Sequence, residues 1–116
     1  MAFFKKTRDL LKANAMVSHL EFAVQRFNPR HGADLAKRHL TGAQKGLLNL
    51  RQANGEYVLT TKGWIYVIKL CSDLTALAQQ NGFEQMARDC DNITEYAMRM
   101  MAHKNELVPC APNTWA

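Results

Sequence analysis

Ala13, Met16, Leu20, Ala23 and Phe27 recur at steps of 3, 4, 3 and 4 residues, with Leu10, Val17 and Val24 widening the stripe. That period places them on one face of a helix running from about Ala2 to Phe27. Asn28-Pro29 ends it, because a residue before proline is pushed out of the helical region, and Arg30-His31-Gly32 makes a turn. A second stripe, Ala36, Leu40, Ala43, Leu47 and Leu50, covers 33–54. Thr41-Gly42-Ala43-Gln44 inside it fits a capping box, so two helices, 33–40 and 42–53, compete with a single bent one. Asn54-Gly55 is the stop. Trp64, Val67, Cys71, Leu74 and Ala78, with Ile68 and Leu77 alongside, predict a third helix from Lys62 to about Gln80. Thr60 or Thr61 can cap it, and Asn81-Gly82 closes it. Phe83, Met86, Cys90, Ile93, Ala97 and Met100 predict a fourth helix from Phe83 to about His103, with Asn81 and Glu84 as its cap. A seam with this spacing is a packed bundle face.

Only Glu56–Leu59 alternates like a strand. The stretch from Leu47 to Trp64, containing NGEYVLTTKGW, resembles the end of a winged-helix domain, where a recognition helix leads into a strand and then the last helix. That resemblance implies a DNA-reading wing, but a wing needs two strands joined by a turn. One short candidate is present, so the segment is expected to be a corner between helices. The expected architecture is an all-α, compact bundle of four or five helices over 1–105. Pro109 and Pro112 keep 106–116 out of helix, leaving an extended C-terminal tail that can pack back through Val108 and Trp115.

At 116 residues, with 47% hydrophobic and 22% charged positions, the chain has the balance of one globular domain rather than a disordered one. No stretch approaches the roughly 18 apolar residues of a membrane span, and the charged N-terminus lacks an apolar signal core. A cytoplasmic protein is expected. Cys71, Cys90 and Cys110 are an odd set without close pairs, which suits buried thiols better than a disulfide or zinc framework.

Charge changes the picture most. Residues 1–62 hold eleven Lys/Arg against four Asp/Glu, whereas 63–116 hold four against six. Such asymmetry suggests a polyanion-facing half. Lys5, Lys6, Arg8, Lys12, Arg30, Lys37, Arg38, Lys45 and Arg51 are the candidate nucleic-acid contacts, and Lys37, Arg38, Lys45 and Arg51 all fall off the apolar stripe. Catalytic chemistry finds little footing. His19, His31, His39 and His103 show no i, i+4 pair and no Glu-x-x-His spacing, and no glycine-rich phosphate loop exists. Asp89-Cys90-Asp91 puts its thiol on the apolar seam and its carboxylates elsewhere. The expectation is a non-enzymatic helical binding protein, with no cofactor or metal, contacting nucleic acid or a nucleoprotein assembly. The alternative is a protein-interaction module, an adaptor or inhibitor of a larger machine, using the acidic last helix or the tail.

Overall fold

The computed structural model describes residues 2–27, 32–53 and 59–104, and these form four helices. They are α1 (Ala2–Arg26), α2 (Gly32–Ala53), α3 (Thr61–Gln80) and α4 (Glu84–Lys104). No strand occurs among the described residues, and none of the described helices is long and apolar enough to cross a membrane. The all-α bundle expected from the periodicity is therefore present, with four helices. The tail, Cys110 and residues 54–58 of the possible wing segment lie outside the described residues; just after them, Leu59 is buried and Thr60 caps α3.

Of the two candidate layouts for 33–54, the continuous helix is correct. Thr41 Oγ1 donates to the Lys37 carbonyl 3.0 Å away, one turn back, and so does not open a new helix. A mid-helix threonine can bond the i−4 carbonyl without ending the helix. Real caps bracket α3. Thr60 accepts from the Gly63 amide at 3.1 Å, satisfying an otherwise free donor of the first turn. At the other end Gly82 adopts φ 76°, where a side chain would be strained. Asn81 donates its side-chain amide to the Leu77 carbonyl at 2.8 Å, so it seals α3 instead of capping α4.

The helices associate as two antiparallel hairpins, α1 with α2 and α3 with α4, stacked so that α1 meets α3 and α2 meets α4. All five residues of the α2 stripe are buried, as are Ala13, Met16, Leu20 and Ala23 of α1. From the second hairpin come Trp64, Val67, Leu70, Cys71, Leu74, Met86, Cys90, Ile93 and Ala97. Each large side chain removed from water in this way contributes about 1.5–3 kcal/mol. Leu10 departs from expectation: it is 45% exposed and does not widen the α1 stripe, whereas Asp9, one position earlier, is buried. Asp9 continues the 9–13–16–20 row; Leu10 is turned about 100° from it.

The two hairpins pack differently. Gly46 sits where an added Cβ would lie 3.2 Å from Met16 Cβ, and one at Gly42 would lie 2.8 Å from the His19 ring. With Ala13, Ala23, Ala36 and Ala43 buried nearby, small residues let α1 and α2 approach closely. The α3–α4 hairpin is filled by bulk instead, with Trp64 edge-on to Tyr96 at 5.9 Å between centroids.

Candidate functional site

Charge divides along the same line. Helices α1 and α2 contain nine Lys/Arg and three Asp/Glu, while α3 and α4 contain five of each. The apolar stripe of α2 must face the core, so residues rotated away from it reach solvent. Arg38 and Lys45 are two turns apart and point almost directly away from that stripe, at about 100° of rotation per residue. Both are exposed. On α1, Arg8 and Arg26 project from the flank nearest α2, and both are exposed. His19 and Phe22 fix that flank's identity, because both touch α2 through His39. Arg8, Arg26, Arg38 and Lys45 thus border one outer surface of the first hairpin.

The remaining sequence candidates divide. Lys37 is exposed but turned toward α4, where it lines a cleft of about 220 Å³ with Asp34, Phe83 and Glu84. Two carboxylates there oppose an anionic ligand. Arg51 is exposed and lies over the Tyr96 ring, 5.6 Å from its centroid, so its guanidinium also serves the α2–α4 contact. Lys12 is half-buried beside Gly46. Lys5 and Lys6 belong to the first turns of α1, but their side chains, like all of Arg30, lie outside the described residues. Arg26 was missing from the sequence set; its place in the last turn of α1, one turn after Phe22, is the signal that could have found it.

A layered arrangement occupies the α1–α2 seam. The Arg26 guanidinium lies 5.1 Å from the Phe22 centroid, and Phe22 stacks on His39 at 4.3 Å. His39 Nδ1 approaches His19 Nδ1 to 3.0 Å, and His19 rests over Gly42. One nitrogen donates and the other accepts. Desolvation, then the charge of His19, holds His39 below the ordinary imidazole value. These histidines are twenty residues apart and on different helices, so no local spacing could pair them.

The α3–α4 seam contains the other notable chemistry. Cys71 and Cys90 are fully buried, and burial pushes both thiols up to about 12. Thr94 and Thr75, respectively, offset this slightly. Both thiols stay protonated near neutral pH, which removes the thiolate needed for attack or metal ligation. Asp89 and Asp91 point outward, half-buried and exposed, as the helical spacing implies. Among the described residues no three or more His, Cys, Asp or Glu converge as a metal cluster.

Solvent-facing acids on α4 form a row of their own, Glu84, Asp91 and Glu95, interrupted by Arg88 on the same face. No protein-family model, no curated protein and no solved structure matches this chain.

Proposed function

We propose that the protein is a small non-enzymatic binding protein of the cytoplasm whose first hairpin contacts the phosphate backbone of a nucleic acid, free or within a nucleoprotein assembly. One observation supports this above others: the cation excess sits on α1 and α2, and Arg8, Arg26, Arg38 and Lys45 share one outer surface. Cations on a rigid helical pair can meet successive phosphates and release their condensed counterions, giving affinity that falls log-linearly with salt. The proposed contacts are to phosphates, which carry no sequence information, so the expected binding is indifferent to sequence.

The test is binding to mixed-sequence DNA and RNA as salt is raised. Wild type is expected to bind at about 50 mM salt and weaken steeply by about 200 mM. Arg8→Glu, Arg38→Glu and Lys45→Glu together should cut affinity by orders of magnitude while circular dichroism stays unchanged. Absence of wild-type binding at low salt removes the reading. The acidic row on α4 favours the second one, a protein-interaction module that meets a basic partner. Co-purification from the native cell, lost on reversing Asp91 and Glu95, would be its signature.

A further inference from the structure

We propose that the nucleic acid met by the first hairpin is single-stranded, with an unpaired base stacking on the ring of Phe22. The inference rests on the polyanion reading above and names the class of strand that surface takes. Phe22 is a large apolar side chain left 37% exposed among the cations of α1 and α2. Its ring lies against His39, at 4.3 Å between centroids and 27° between planes. The exposed Arg26 guanidinium sits over the same ring, 5.1 Å from its centroid. Aromatic rings and guanidinium planes are the two surfaces on which unpaired bases stack. Arg26 is free to swing aside for an arriving base and meet the phosphate next to it.

The ring is supported before any strand arrives. His39 Nδ1 meets His19 Nδ1 at 3.0 Å, and His19 occupies the room left by Gly42, where an added Cβ would lie 2.8 Å from three ring atoms. A platform ordered in advance loses little freedom on binding. Charge agrees with the occupant, because every unpaired base is flanked by phosphates. Arg26 is one turn along α1 from Phe22, Arg38 adjoins His39 on α2, and Lys45 follows two turns later. The three carboxylates of these helices turn elsewhere. Asp9 is buried, Glu21 accepts from the Tyr66 hydroxyl of α3, and Asp34 lines the cleft against α4. A duplex keeps its base faces within its own stack and reaches only the cations; a single strand reaches the cations and the ring.

The test compares three labelled probes on the full-length protein at about 50 mM salt, where phosphate contacts are strong. They are a mixed-sequence single strand of about 12 nucleotides, an abasic deoxyribose-phosphate oligomer of equal length, and the matching duplex. Wild type should bind the single strand about tenfold or more tighter than the abasic oligomer, the worth of one stacked base. Phe22→Leu, which alters no charge, should abolish that preference and leave abasic and duplex affinities unchanged. In NMR spectra the Phe22 ring protons should shift upfield with the single strand and stay in place with the abasic oligomer. Equal wild-type affinity for strand and abasic oligomer overturns this inference alone, as do unmoved ring protons or a folded Phe22→Leu variant that keeps the preference. Binding to none of the three probes removes the polyanion reading and this inference with it. The wild-type comparison decides the matter by itself if the variant fails to fold.

Discussion

The two hairpins solve the same packing problem with opposite materials. In α1–α2 the backbones come close because Gly42, Gly46 and several alanines leave room, and what they admit is a histidine ring and the body of Met16. In α3–α4 the space is filled by Trp64, Leu70, Leu74, Met86 and Ile93, and the glycine that matters, Gly82, is needed for its positive φ. Their outer surfaces differ too, cation-rich on the first pair and balanced on the second. Both hairpins supply apolar bulk to the core, Met16, Leu20, Leu40, Leu47 and Leu50 coming from the first; the difference lies at the seam within each pair, thin and glycine-lined in the first beneath a cation-rich outer face, and filled by larger side chains in the second.

The largest effect should come from attacking the bulk. Ile93 is 1% exposed, so Ile93→Asp would force an unpaired carboxylate among apolar neighbours at a cost of about 4 kcal/mol or more. Glu95→Lys, on the exposed side of the same helix, should change stability by less than about 0.5 kcal/mol. Thermal melts of the two variants check this; similar melts would show that the second hairpin does not hold the core as described.

Smaller changes sharpen the contrast between the glycines. Gly82→Ala should cost about 1–2 kcal/mol, the penalty of a left-handed alanine, whatever its neighbours, because no atom lies within 4 Å of the added Cβ. Gly42→Ala should be destabilising for another reason, displacement of the His19 ring. In a His19→Ala background the same change should become stabilising by up to about 1 kcal/mol, the ordinary gain of alanine over glycine in a helix. A double-mutant cycle in denaturant measures that coupling; additivity would deny the space-filling role of Gly42.

The least effect concerns protons. Because His39 is held below its unfolded value, the unfolded chain binds more protons in that range. Its contribution to stability is therefore present above about pH 6.5 and declines as pH falls below it. Only one half-buried ring is involved, so the shift in melting temperature between neutral and mildly acidic buffer should be small, and smaller still in His39→Gln.

Much of this fold was legible because buried positions repeat at helical spacing: every residue of the α2 stripe is in the core. Thr41 misled because its hydroxyl has two uses, opening a helix or bonding a carbonyl one turn back, and only the surrounding helix decides. Asp9 was missed because a carboxylate breaks the apolar pattern that marks a stripe. For the site, sequence identified exposed cations on α2 but could not divide them. Lys37 and Arg51 turn toward α4, whereas Arg38 and Lys45 turn outward, and that division depends on which flank each neighbouring helix covers. The His19–His39 pair was invisible for a related reason: helix pairing creates it.

Position on the first hairpin, and not overall charge, is proposed to govern polyanion binding. Two triple variants with the same change in net charge test it most directly: Arg8, Arg38 and Lys45 to glutamate, and Lys62, Lys69 and Arg99 to glutamate, all six residues being exposed. Affinity for mixed-sequence DNA and RNA would be measured side by side at about 50 mM salt, where phosphate contacts dominate. The first variant should lose binding by orders of magnitude, and the second should lose only the modest share due to net charge. Equal losses, or a greater loss in the second, would contradict the account.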